Sequence, residues 1–232
     1  MVADQTSLAL LRWYVEAGVD EAIGEKPVDR FAVAPGRTQP PPRPPSPPPM
    51  GAAPPVGAAP PVGVAAHAAA DCRDLAQLRR AMEGFEALAI RRTAMNTVFA
   101  DGEPGAAVMC IGEAPGQEED RQGLPFVGRS GKLLDRMLAS IGLTREAVYI
   151  TNVVPWRPLD NRKPTADEVA ACLPFVTRHI ELVDPALLIL FGGAAASAVL
   201  ARHEGINRLR GRWFDFSSPG LPRPVPAMPT FH

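Results

Sequence analysis

An excess of charge of either sign is missing from this chain. Its 232 residues carry a formal net charge of −1, and from Asp71 onward nineteen basic residues are matched by nineteen acidic ones. Wholesale binders of polyanions show a basic excess, so any contact with nucleic acid has to come from a local patch. The stretch "NRLRGRW", Asn207 to Trp213, is the densest candidate and supplies Arg208, Arg210 and Arg212. By charge alone, a solvated loop explains it equally well. Long apolar runs are missing too: no segment reaches membrane-spanning length. The opening "MVADQTSLALLRWYVEAG" lacks a basic lead and a small-residue cleavage site, and Arg12 interrupts it. These absences predict a cytoplasmic protein with no membrane contact. Also lacking are the phosphate-cradling patterns G-x-x-x-x-G-K-S/T and G-x-G-x-x-G, which removes the common nucleotide-binding readings.

Proline is plentiful but concentrated. Thirteen of the 27 prolines lie between Pro35 and Pro61, in a stretch with no hydrophobic period and almost no charge. Such a segment cannot bury a core and reads as a semi-extended linker. A proline-reading protein partner is one known use of this composition, a plain spacer the commoner one, and the sequence names no partner. The expected organisation is an N-terminal amphipathic helical segment over 1–30, a Pro/Ala-rich linker over 31–70 and one folded domain over 71–232. Within the first, Leu8, Leu11, Val15 and Val19 recur at helical spacing. The last, about 160 residues, is long enough for a single sizeable core.

Inside that domain three apolar β-type runs stand out, Ala106 to Gly112, Ala147 to Val154 and Ala186 to Phe191, with a weaker fourth in "PVPAMPTFH". Helical patterns separate them. Leu133, Leu134, Met137, Leu138 and Ile141 form one stripe, and Val169, Leu173, Val176 and Ile180 another. The second opens on a capping box, Thr165 to Glu168, and contains Pro174, which predicts a kink. A third helix follows in "GGAAASAVLAR". Nearly all-apolar strands alternating with helices predict an α/β fold of three layers, α/β/α, around a central four-stranded parallel sheet. Ligands of such sheets sit at the carboxyl ends of the strands. Glu113, Asn152 and His232 all fall at or just past a strand end.

One loop asks for explanation. "GEAPGQEEDRQGLPFVG", Gly112 to Gly128, holds four acids, four glycines and two prolines, and delivers Phe126 thirteen residues after Glu113. A loop that only turns the chain needs one Gly or Pro and indifferent polar residues. Asn152 is a turn-former in one reading; in another its amide, donor and acceptor at once, reads a base edge. Phe126 is a stacking platform or simply core.

Taken together, "GEAPGQEEDRQGLPFVGRSGKLL", "VYITNVVPWRP" and "MPTFH" resemble the motifs of the family-four uracil-DNA glycosylases, over residues from about Asn96 to His232. The resemblance implies that family's three-layer fold and excision of uracil from single- or double-stranded DNA. It implies that Glu113 orients or activates the attacking water, that Phe126 stacks on the flipped uracil and that Asn152 pairs with its edge. It further implies that His232 sits beside uracil O2, that Glu119 forms the pocket wall near C5 and that Ala114 supplies loop backbone. A monomer is expected.

Two departures qualify the resemblance. Many members hold an iron–sulfur cluster through four cysteines. This chain has Cys72, Cys110 and Cys172, with no C-x-x-C, and the alignment puts Phe85, Leu88 and Trp156 at ligand positions, leaving Cys172 alone. A cluster-free branch with no cofactor and no metal is the expectation, with Cys110 inert in a buried strand. Members also continue past the motif histidine into a loop and helix, whereas this sequence stops at His232. The expectation drawn from that is a truncated chain and a poor enzyme. The alternative is a uracil- or DNA-binding relative impaired in catalysis. A related class traps its product through a histidine in an insertion after the second motif; "RPLDNRKPTADEV" is short and has no histidine.

Overall fold

A computed structural model describes residues 61–232. The expected helix of Ser7 to Ala22 and the linker up to residue 60 lie outside the described residues. The four expected parallel strands form: β2 (Val108–Gly112), β3 (Tyr149–Asn152), β4 (Leu187–Phe191) and β6 (Val225–Thr230). Two short strands extend the sheet at its edges, β1 (Asp101–Gly102) and β5 (Phe214–Phe216), both antiparallel to their neighbours. The order is β1-β3-β2-β4-β6-β5, so the sheet is mixed rather than purely parallel. Strands of two and three residues are too short to show the alternation by which a strand is read from sequence.

Alternation along the long strands divides the core into two faces. Met109, Ile111, Tyr149, Leu188 and Leu190 point into the larger cluster, covered by the helices Pro61–Ala70, Ala166–Val183 and Gly192–Leu200. Their neighbours Cys110, Ile150 and Phe191 point the other way, onto Leu134 and Leu138 of the helix Arg129–Ser140. A period of two thus yields the three expected layers.

The helix Pro61–Ala70 corrects the expected domain start at Asp71. It buries Ala65 and Ala69 and packs along the helix Ala166–Val183. Alanines four residues apart let two helices approach closely, yet they give no hydrophobic stripe strong enough to register beside a run of prolines. The Thr165–Glu168 capping box forms with both hydrogen bonds, at 3.2 and 2.8 Å. Its helix runs on to Val183 as one element with Pro174 inside. The other stripe is only half right: Leu134 and Leu138 are buried, while Leu133, Met137 and Ile141 face solvent.

The connections place the site. The helix after β2 lies on one face of the sheet and the helix after β3 on the other. The two loops therefore part above adjacent strand ends and leave a crevice between them, as at the switch points of other open α/β sheets.

Candidate active site

That crevice is a cleft of about 250 Å³ at the carboxyl ends of the strands. Glu113, Ala114, Glu119, Phe126, Asn152 and His232 all line it, so six residues from three separate motifs meet at one place. Arg208, Arg210 and Arg212 do not line it; they lie exposed on the segment that leads into β5.

Its floor is built on Gly112. In β2 this residue pairs in register with Asn152 of β3, and residues so paired in a parallel ladder project to the same face. With no side chain on Gly112, that space is taken by its neighbours. A Cβ there would meet Asn152 Oδ1 and come within 2.6 Å of Phe126 Cζ. The amide and the ring therefore lie against the same glycine. The pairing continues beyond the strands, Val153 and Val154 donating to the carbonyls of Gly112 and Glu113 at 2.9 and 3.0 Å. This locks the loop that carries Glu113 to the loop that follows Asn152.

Phe126 occupies the left-handed region, φ 54°. For a bulky side chain that costs roughly 1–3 kcal/mol and persists only where the surroundings over-determine it. Here they do. Just after Phe126, Glu119 Oε1 accepts from the N–H groups of Val127 and Gly128 at 3.0 and 2.8 Å. Just before it, the Arg145 guanidinium donates to the Pro125 carbonyl while also pairing with Asp101 and Asp135, at 2.6 and 2.8 Å. Underneath, Gly131 packs so closely that a Cβ would overlap the Phe126 carbonyl. The ring itself is 9% exposed and rests on Phe191, centroids 5.7 Å apart. Phe126 thus belongs at once to the buried cluster and to the lining of the cleft.

The acids of the loop sort by task. Glu113 faces the cleft, half-buried. Glu119 lines it, but its oxygens are engaged by backbone: Oε2 accepts from Gly116 at 3.2 Å, closing the first turn of the helix Gln117–Gln122. Asp120 is buried and accepts from the Met95 and Asn96 N–H groups at 2.9 and 3.1 Å, tying the helix to the chain before β1. Glu118 stays on the surface with Arg121. Of the four, only Glu113 faces the cleft with no side-chain hydrogen bond or ion pair among the described residues.

The far wall comes from Pro158, Asn161, Arg162, Lys163 and Pro164, which sequence reasoning did not single out. Asp160 and Asn161 both have positive φ, 55° and 53°. Glu168 shapes this wall: besides capping its helix it takes two hydrogen bonds from Arg162, at 2.8 and 2.6 Å. The Arg162 guanidinium holds the Glu168 carboxyl below its ordinary range. At the opposite side His232 packs on Gly192, where φ is 89° and an added Cβ would stand 3.0 Å from His232 Cβ. The glycine in "FGG" was the signal for this close approach.

The positions aligned with cluster ligands do not fit a metal. Phe85, Leu88, Trp156 and Cys172 are all buried in one apolar cluster. Phe85 stacks on Trp156 with rings 10° from parallel and meets Phe175 edge-on, centroids 5.1 Å apart. Trp156 donates its N–H to Thr97 at 3.0 Å. Among the described residues no group of three His, Cys, Asp or Glu is arranged to hold a metal ion. Burial pushes the thiols of Cys172 and Cys110 up to about 12, so both are inert at neutral pH.

Residues 99–232 match the family model described as the Uracil DNA glycosylase superfamily. The type-4 uracil-DNA glycosylase of Saccharolobus solfataricus is 42% identical over 142 residues, which cover 59% of this chain and 65% of the relative. Its counterpart from Archaeoglobus fulgidus is 42% identical over 130 residues, 54% and 65% of the two chains. That of Thermotoga maritima is 39% identical over 138 residues, 59% and 69%. The chain thus spans just under two thirds of the length of the first two.

Proposed function

Because the chain belongs to the uracil-DNA glycosylase superfamily, we propose that it excises uracil from DNA by hydrolysing the N-glycosidic bond. The observation that carries this reading is the meeting of Phe126 and Asn152 over Gly112, with Glu113 and His232 in the same cleft. A base inside a duplex is out of reach, so the target nucleotide is swung out at a cost of a few kcal/mol. The Phe126 ring receives the flat face of the base. The Asn152 amide pairs with the uracil edge, and cytosine is rejected because its amine would face a donor and leave buried groups unpaired. The bond between the base and sugar C1′ then breaks toward a cationic sugar and a uracil anion. His232 donates to O2, where the negative charge develops. Glu113 favours the cationic sugar and holds the water whose oxygen bonds to C1′, its carboxylate taking the proton the water loses, while the departing uracil anion takes up a proton from solvent. Arg208, Arg210 and Arg212 engage the phosphate backbone beside the cleft.

Release of free uracil from a labelled, uracil-containing single-stranded oligonucleotide tests the reading. Asn152→Asp should abolish release or let cytosine in, since a carboxylate repels uracil O4 where the amide donates to it. Unchanged kinetics in that variant would remove Asn152 from the site. A protein that binds the oligonucleotide yet frees no base would instead be a catalytically impaired relative.

This domain also belongs, we propose, to a cluster-free branch. The stacked Phe85 and Trp156 fill with apolar side chains the positions that align with ligands. Purified protein should be colourless, without absorbance near 400 nm and without stoichiometric iron or sulfide. A cluster in every chain would show that Phe85, Leu88 and Trp156 are misaligned.

A further inference from the structure

The basic segment before β5 carries more than charge. Trp213 and Phe231 are the two aromatic side chains left exposed among the described residues, and Trp213 is 59% exposed. Guanidinium groups lie over Phe231 and over Phe214, the residue after Trp213. Arg210 lies over the Phe231 ring at 4.5 Å, while Arg202 and Arg212 lie over Phe214 at 5.1 and 5.6 Å. Arg208 is exposed one turn earlier. Of the acids nearby, Glu204 pairs with Arg202 at 3.4 Å, and Asp215, two residues beyond Trp213, shares the side of the indole.

Position makes the patch more than a scattered exposed hydrophobic, which by itself would need no explanation. β5 runs antiparallel to β6, Phe214 opposite Ala227, so the residues just before β5 lie toward the carboxyl end of β6. Gly211 donates to Pro229 at 2.9 Å and fixes that level. The Arg210–Phe231 stack adjoins His232, which lines the cleft. An exposed indole that follows three exposed arginines in the chain, toward the carboxyl end of β6, supplies the two elements of single-strand binding: cationic groups and a stacking face.

We propose that Trp213 is a stacking platform for an unpaired base next to the extruded nucleotide, with Arg208, Arg210 and Arg212 on the flanking phosphates. This rests on the uracil-excision reading for its orientation, but the contact itself needs no uracil. A base lying on the indole is not stacked in a duplex, so the platform favours single-stranded DNA over paired DNA.

Equilibrium binding of the full chain to a uracil-free single-stranded oligonucleotide tests it, with a blunt uracil-free duplex measured in parallel. Trp213→Ala should weaken single-strand binding about 5- to 150-fold and leave duplex binding unchanged. Trp213→Phe should retain most of the affinity. In a Trp13→Phe background, Trp156 is fully buried, so the single strand should quench the fluorescence of Trp213. Unchanged single-strand affinity in Trp213→Ala, an equal loss on the duplex, or no quenching would each overturn the proposal. Uracil release by the unsubstituted chain, assayed alongside, separates the two readings. A chain that frees no uracil but loses single-strand binding with Trp213 keeps the platform and loses the excision mechanism; the reverse pattern keeps excision alone.

Discussion

His232→Ala should lower the single-turnover rate of uracil release by about 10²–10³-fold while leaving affinity for uracil-containing DNA nearly unchanged. In the proposed reaction the imidazole faces a charge that appears on O2 only as the glycosidic bond breaks, so removing it should cost the transition state and spare the bound complex. Packing supports the role. Gly192 lets the His232 side chain approach where any other residue would need both a left-handed conformation and space for a Cβ. Measuring bond breaking under enzyme excess, and binding on an uncleavable analogue, gives the two numbers independently. Equal rates for the variant and the unsubstituted chain would remove His232 from the chemistry.

Gly112→Ala should cost about 10²-fold or more in the same rate, because a misplacement of about an ångström suffices for such losses. One methyl group at this position would stand within 2.6 Å of Phe126 Cζ and against Asn152 Oδ1, and neither can yield freely. The backbone on both sides of Phe126 is held by Glu119 and Arg145, and Asn152 is fixed by the β2–β3 ladder. Overpacking also costs about 1–3 kcal/mol of stability, so the rates should be compared well below the variant's midpoint of unfolding. A folded Gly112→Ala with full activity would mean that base and amide do not meet over this glycine.

These two residues differ in how easily the sequence betrays them. Glu113, Asn152 and His232 were legible because each ends an apolar run, and strand ends of a parallel sheet converge. Phe126 was legible from its place in the loop, but its left-handed backbone was not: that conformation follows from Gly131, Arg145 and Glu119, which are brought to it by folding. Gly131 left a faint trace, a glycine inside a good helix pattern. Arg145 left none, since its partners lie 44, 10 and 20 residues away. The wall from Pro158 to Pro164 was not legible because its contribution depends on the bidentate Arg162–Glu168 pair. Exposure of Leu133, Met137 and Ile141 escaped for the opposite reason: a periodic pattern tells which residues share a face, and the neighbours decide how wide a strip of it is covered.

Arg145 has one more effect, on the order in which the molecule is completed. Its guanidinium joins the edge strand β1, the helix Arg129–Ser140 and the residue before Phe126. Contacts that span dozens of residues reward the chain only after the intervening loops have closed. The strained Phe126 backbone cannot be held until then. A half-folded molecule with its sheet already formed still lacks the wall that Phe126 gives the cleft.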